Sequence, residues 1–326
     1  MIELSVIICS HNPRRDYLRR VLDALRSQSL SKDRWELLLV DNASQKALAE
    51  EWDLIWHPHA RHIRESRLGL TFARIRGFHE SIGEIIVFVD DDNVLDSNYL
   101  RSAQEAMTED VLLGACGGKV TGEFETPPPD WFARISVSLA CCDLGPEAKY
   151  FFWIESDRSQ RTIPHGAPNG AGIVLKREAY QFYIDAVGGD PIRQRLGRRG
   201  RDLGSGEDND IVWTLMSKGY RSAYIPKLVV WHLIPPRRVS PGYLASLGYA
   251  ASRTWYFLLY IHSIANLPPP VPRWTIPVRK SIAFWRRRAW RSWPQFIVWR
   301  QECGWLDGRA DVYRIKRRPH RLSIGD

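Results

Sequence analysis

Cysteine is scarce: Cys9, Cys116, Cys141, Cys142 and Cys303 are all that 326 residues contain. Their spacing matches no metal cage, and an odd, scattered set makes no disulfide framework. The expectation is free thiols in a reducing compartment, with the cytosol as the default. Long apolar runs are missing too. The most apolar late stretch, Trp255 to Ala265, is broken by His262 and falls short of the ~20 residues a membrane-spanning helix requires. Met1 to Cys9 has no basic n-region and runs straight into His11-Asn12-Pro13, so the opening is expected to be a first core strand and not a leader peptide. No internal repeat is visible. The apolar fraction of 44% and charged fraction of 25% are those of an ordinary globule with enough chain to bury a sizeable core.

Acidic residues are thin in one place. Residues 273–326 hold 14 Lys and Arg against Glu302, Asp307, Asp311 and Asp326, a balance of +10; the whole chain carries +9, so residues 1–272 sum to −1. The same segment carries Trp274, Trp285, Trp290, Trp293, Trp299 and Trp305, and it follows Pro268-Pro269-Pro270 and Pro272, which read as a stiff linker. Cations mixed with aromatics suit nucleic-acid binders and membrane-interface helices alike, but Trp favours the interface, and polybasic segments gain from anionic lipid. We therefore expect a membrane surface as partner and no nucleic acid. The other reading is an amphipathic helix whose tryptophans pack on the body.

Strand and helix patterns alternate through the first hundred residues. Leu4 to Cys9, Glu36 to Val40 and Glu84 to Val89 read as strands, with helices over Tyr17 to Ser27 and Leu70 to Ser81 between them. That repetition predicts a doubly wound, mostly parallel α/β sheet flanked by helices. A helix over Asp96 to Met107 and a strand over Gly114 to Val120 follow. Residues 122–168 are irregular. Then come a strand over Ala171 to Lys176, a helix over Arg177 to Ala186, a Gly- and Arg-rich loop from Gly188 to Gly206, a helix over Asp208 to Ser217 and a short strand at Ser222 to Ile225.

The third strand ends in Asp90, Asp91 and Asp92. Ligands of such sheets bind at the carboxyl ends of strands. Clustered carboxylates repel unless a cation neutralises them, and hard divalent ions such as Mg²⁺ or Mn²⁺ prefer carboxylate oxygens. A metal holding a phosphate is one reading. A solvated acidic turn is the other.

These pieces combine into a resemblance. Val6 to Asn12, Leu39 to Ser44, Leu68-Gly69-Leu70 with Ala73-Arg74 and Gly77, Asp90-Asp91-Asp92, Asn169 to Gly172 with Lys176 to Ala179, and Gly206-Glu207-Asp208 resemble, in order, the motifs of family 2 glycosyltransferases. The match runs from about residue 3 to 235. The resemblance implies a GT-A-like fold, with Asp92 and His232 on a divalent metal (Mn²⁺ or Mg²⁺). It implies nucleotide contacts by Asn12, Asp41, Arg74, Asp90 and Asp91, and a catalytic base at Asp208 beside Glu207. Each has a plainer alternative: an Asx turn for Asp41, a helix cap for Asp208, a surface ion pair for Arg74 and a core histidine for His232. The usual Ala-Arg-Asn appears here as Ala73-Arg74-Ile75, which leaves that helix's polar contact in question. Pro235-Pro236-Arg237-Arg238 suggests a lid whose arginines bind phosphate.

The expected organisation is a catalytic domain over 1–235, divided into a nucleotide-sugar half (1–120) and an acceptor half (121–235). A helical segment with the proline linker occupies 236–272, and a basic, Trp-rich helical extension 273–326. The expected function is inverting, metal-dependent transfer from a nucleotide sugar, a UDP-sugar by preference, to a glycan or lipid-linked acceptor in the cytoplasm or on the inner face of the membrane. A non-catalytic nucleotide- or glycan-binding homologue and a nucleotidyltransferase are the alternatives. The latter leaves Glu207-Asp208 unexplained.

Overall fold

The computed structural model describes residues 1–137, 139–153 and 166–317. Parts of the irregular stretch and the last nine residues of the basic extension lie outside these. Among the described residues nine strands form one sheet: β1 (Leu4–Ser10), β2 (Trp35–Asn42), β3 (Ala60–Glu65), β4 (Ile85–Asp90), β5 (Asn93–Leu95), β6 (Leu113–Phe124), β7 (Lys149–Phe151), β8 (Val174–Lys176) and β9 (Arg221–Ile234). The order is β3-β2-β1-β4-β8-β6-β9-β5, with β7 also pairing with β9. The β3-β2-β1-β4 half is parallel. Strand β8 then runs antiparallel to both β4 and β6, and β6 pairs parallel with β9. This is the expected α/β sheet, with a reversal at its centre.

The helices are α1 (Arg15–Arg26), α2 (Leu48–Glu51), α3 (Leu70–Glu80), α4 (Tyr99–Glu109), α5 (Arg177–Gly188), α6 (Glu207–Met216), α7 (Pro241–Ile261), α8 (Ile276–Arg287) and α9 (Trp293–Arg317). Alternate residues of β1 serve opposite faces, as strand geometry demands. Leu4, Val6 and Ile8 join Leu18, Leu22 and Leu100 of α1 and α4 in one layer. Ile7 joins Ala73, Tyr180 and Trp213 of α3, α5 and α6 in the other. Burying such a Leu or Ile contributes about 1.5–3 kcal/mol. Both faces are therefore covered, and the continuous apolar strands are explained.

Two strand expectations fail for identifiable reasons. The strand expected from Ala171 begins only at Val174, because Gly172 has φ +73°. A Cβ there would lie 2.8 Å from the Tyr99 hydroxyl, so the chain turns before it pairs. Conversely, the short strand expected at Ser222 to Ile225 continues past Pro226 to Ile234. Its pairing with β6 slips between Gly117 and Lys119, opposite Tyr224 and Val229, so the proline occupies a bulge where no ladder N–H is needed.

The segment after the prolines folds onto the body. Helix α9 buries Ile297, Cys303, Leu306, Ala310 and Val312, and it approaches α7 closely at two glycines. A Cβ at Gly304 would lie 2.0 Å from the Tyr249 carbonyl oxygen, and one at Gly308 would lie 2.8 Å from that of Arg253. An Arg253–Asp311 ion pair of 2.6 Å braces this contact, and a Lys280–Asp307 pair of 2.6 Å ties α8 to α9. No helix of the described residues is long and apolar enough to cross a membrane.

Candidate active site

Strand register builds the acidic side of the site. Cys9 of β1 lies beside Asp90 of β4, and Asn93 of β5 lies opposite His232 of β9. The Leu233 N–H donates to the Asp92 carbonyl at 2.8 Å. This pairing sets Asp92 Oδ2 3.6 Å from His232 Nε2. His232 Nδ1–H donates to the Leu139 carbonyl at 2.8 Å, which turns Nε2 toward the carboxylates. Arg238 enters from the turn after β9, with Nη2 2.7 Å from Asp92 Oδ2 and Nη1 2.7 Å from His232 Nε2.

The carboxylates differ in charge. Burial opposes ionisation of Asp92, yet the His232 hydrogen bond and the Arg238 charge hold it well below the usual range. Burial, with the neighbouring Asp92 charge, pushes Asp91 up to about 7 despite its hydrogen bond from Ser10. Burial also raises Asp90, with Arg74 pulling the other way. Nε2 of His232 has two claimants. Burial disfavours the imidazolium, but hydrogen bonding with Asp92 and Cys141 and the Asp92 charge outweigh it and push the ring up to about 9. Protonated, the ring turns Nε2–H toward Asp92; neutral, it accepts from Arg238 Nη1 at 2.7 Å, and one nitrogen cannot do both at once.

The opposite wall is the N-terminal end of α6. Gly206 is its N-cap, and Glu207, Asp208 and Asp210 occupy the first turn, where negative charge meets the positive helix end. Glu207 is buried and accepts from Arg74 Nη1 at 3.1 Å. Arg74 Nη2 stands 4.0 Å from Asp90, with the guanidinium 5.3 Å from the Phe88 ring centroid. One buried cation thus ties the α6 end to the β4 end. Asp208 Oδ2 accepts the Gly170 N–H at 3.0 Å, and Oδ1 accepts the Asn209 N–H at 3.0 Å. A Cβ at Gly170 would lie 3.0 Å from Arg74 Nη2, so a side chain there would crowd the Arg74 guanidinium.

A cavity of about 700 Å³ opens between these walls and is lined by Arg74, Asp90, Asp91, Asp92, Glu207, Asp208 and His232. Asp41 and Asn12 are not among its lining. The contacts of Asp41 are those of the Asx-turn alternative. Asp41 accepts the N–H groups of Ser44 (2.9 Å) and Leu48 (3.1 Å), and it pairs with Arg64. Asn12, at φ +49°, accepts the Gln45 N–H at 2.9 Å, so Asn12 ties the β1 end to the turn after β2, while Asp41 ties that turn to β3. Arg74 is buried, so its pairing is not the surface salt bridge of the alternative reading. Of the two lid arginines only Arg238 lines the cavity.

Several cavity residues carried no sequence signal of their own. Ser10 meets Asp91 only because β1 and β4 are neighbours. Arg198 comes from the Gly- and Arg-rich loop, and Gln301 and Trp305 come from α9. Beneath Asp208, Asp210 is fully buried between Arg193 Nη1 (2.5 Å) and His262 Nε2 (2.7 Å), which pins α6 to the end of α7. Among the described residues no group of three or more His, Cys, Asp or Glu stands ready to hold a metal. The Asp92 carboxylate suits Mn²⁺ or Mg²⁺, ions commonly bound through one or two protein groups plus substrate phosphates, and the His232 imidazole favours Mn²⁺ of the two.

Comparison with known proteins follows the same outline. The family model described as "Glycosyl transferase family 2" matches residues 5–180. Glycosyltransferase AglE of Haloferax volcanii is 33% identical over 92 residues, 27% of this chain and 30% of that protein. The uncharacterized glycosyltransferase YibD of Escherichia coli is 26% identical over 171 residues, 50% of this chain and 46% of that protein. The chain thus spans about a third to a half of the length of these curated relatives. Among solved structures, the mannosyltransferase PcManGT from Pyrobaculum calidifontis, in complex with GDP-Man and Mn²⁺, superposes with a TM-score of 0.53 at 19% identity, covering 99% of this chain and 76% of that one. That likeness is one of fold.

Proposed function

The chain belongs to glycosyl transferase family 2, and from that membership we propose that it moves a sugar from a nucleotide donor to a hydroxyl of a glycan or lipid-linked acceptor. The donor we infer is a UDP-sugar, and the transfer inverts the anomeric carbon. The observation that carries this reading is the meeting of Asp92, His232 and Arg238 on one wall of a single cavity with Asp208 on the other. A nucleotidyltransferase would give Asp208 no task.

Asp92 and His232 are the residues that would hold Mn²⁺ or Mg²⁺. Bound there, the ion would offset charge on the departing diphosphate. The protein's own groups do the rest. Arg238 is placed to pass from Asp92 to a phosphate oxygen, since a guanidinium binds phosphate as readily as carboxylate. Asp208 takes the proton of the acceptor hydroxyl as that oxygen attacks the anomeric carbon. The carbon–oxygen bond to the diphosphate breaks on the opposite face, and the nucleoside diphosphate leaves with the bonding electrons. Arg74, fixed between Glu207 and Asp90, keeps the two walls in register. An acceptor carried on lipid would be met at a membrane surface, for which the basic segment 273–326 is the candidate contact.

The test is release of nucleoside diphosphate from a panel of UDP- and GDP-sugars, with and without Mn²⁺. Metal-dependent release from one nucleotide class is expected. Binding without release would favour the non-catalytic homologue, and pyrophosphate release from nucleoside triphosphates would favour the nucleotidyltransferase.

A further inference from the structure

The six tryptophans of the basic segment divide into two sets. Trp299 and Trp305 are partly buried, with Trp305 5.1 Å from Tyr256 of α7. The others face outward. Helix α8 buries Ile276 and Ala283 and displays Val278 (63% exposed), Ile282 (59%) and Trp285 (64%), with Trp274 (82%) just ahead of it. These positions recur at intervals of four, four and three, which is one side of a helix. The chain then turns through Arg288 at φ +52° and brings Trp290 (52%) and Trp293 (50%) alongside. The Trp285 and Trp290 rings lie 4.9 Å apart, and both rest on Phe284, which contacts Trp299 at 5.2 Å. A contiguous exposed aromatic ledge on a firm base is not ordinary surface.

Arg273, Arg279, Arg286, Arg287, Arg288 and Arg291 are exposed around it. Among the described residues only Arg286 and Arg287 of these six pair with a carboxylate, Glu302. The charge of the rim selects the occupant. A second copy placed symmetrically on this face would set arginine against arginine, whereas an anionic bilayer complements the rim and accepts tryptophan at its boundary. Aliphatic Val278 and Ile282 suit an acyl boundary and offer nothing for a base to stack on.

We propose that α8 and the first turn of α9 form an interfacial footprint by which this chain lies on an anionic membrane. The geometry relates the footprint to the site. Trp293 opens α9, and Gln301 and Trp305 of the same helix line the cavity; at 1.5 Å per residue Gln301 lies about 12 Å further along. A cavity so placed meets acceptors at the lipid–water boundary. The membrane contact stands without the transferase reading, while the lipid-linked acceptor rests on it.

The experiment is sedimentation of the full chain with phosphatidylcholine vesicles, with and without phosphatidylglycerol, and no donor present. Binding to phosphatidylglycerol vesicles alone is expected, with a blue shift of tryptophan emission and weakening as salt rises. The triple variant Trp285→Ser, Trp290→Ser, Trp293→Ser should bind at least about tenfold more weakly with an unchanged melting curve. Arg279→Gln with Arg288→Gln and Arg291→Gln touches no buried contact and should abolish the preference for anionic vesicles. Wild-type indifference to phosphatidylglycerol overturns the proposal, as does undiminished binding by either variant. So does a Trp-dependent dimer, or retention of single-stranded DNA in place of vesicles. Because no donor is used, failure here leaves the transferase reading standing, and failure of donor release leaves the footprint standing.

Discussion

Asp208→Asn should cut sugar transfer by at least ~10²-fold, the low end of what a positioned base contributes, while donor affinity and melting temperature stay near wild type. The structure sharpens the expectation about stability. Gly206, not Asp208, is the N-cap of α6, and Asp208 accepts from the backbone N–H groups of Gly170 and Asn209 and from the Asn209 side-chain amide. An Asn side-chain oxygen can still accept the Gly170 or the Asn209 N–H, and loss of one first-turn charge leaves Glu207 and Asp210 at the positive end of α6. On the proposed mechanism, loss of the proton acceptor is then the main change. Transfer kinetics with titration of the donor check it: parallel losses in donor affinity and rate would place Asp208 on the nucleotide instead.

Asp92→Asn should abolish metal-dependent nucleotide binding, because it removes a charged oxygen beside His232. From sequence, deleting one charge of the triplet was expected to relieve repulsion. The structure moves that relief to Asp91. Asp92 is ionised easily, held by His232 and Arg238, so its replacement costs some stability, limited by Asp90 and Asp91, whose charges also act on Arg238. Asp91 sits at about 7, well above an unfolded aspartate near 3.9. A raised carboxyl destabilises the fold when ionised, so the penalty is full above pH 7, fades as pH falls from 7 toward 4, and is gone below. Asp91→Asn should therefore raise the melting temperature at pH 8 and make no difference at pH 4. Calorimetric titration with Mn²⁺ and nucleotide, beside melts at both pH values, separates the two carboxylates. Retained metal-dependent binding in Asp92→Asn would remove that residue from the metal.

How much was legible followed from whether the relevant physics was local. The strand-to-carboxylate junction at Val89–Asp92 is written in hydrophobic pattern and charge, and it stands where the pattern placed it. Helix starts at Leu70 and Arg177 were likewise local. The strand at Ser222 to Ile225 proves longer because Pro226 falls in the bulge opposite Gly118, which only the pairing with β6 reveals. The pairing of Asn93 with His232, the Arg238 contact with Asp92 and the Ser10 contact with Asp91 depend on sheet order, which single-chain periodicity does not encode. The reading of Asp41 needed the same information, since its turn bonds become visible only once Ser44 and Leu48 are in place. The basic segment read as two alternatives, membrane or packing, and the structure assigns α9 to the body while leaving the α8 aromatics outside.

The measurement closest to the central claim is the anomeric configuration of the first product, read by proton NMR coupling before mutarotation, with the preferred donor and a model acceptor. One base at Asp208 facing a leaving diphosphate held by Asp92, His232 and Arg238 permits a single displacement, so the product should carry the configuration opposite to the donor. Retention of the donor's configuration would contradict the account, because it requires a second nucleophile or a front-face path that this arrangement of carboxylates does not supply.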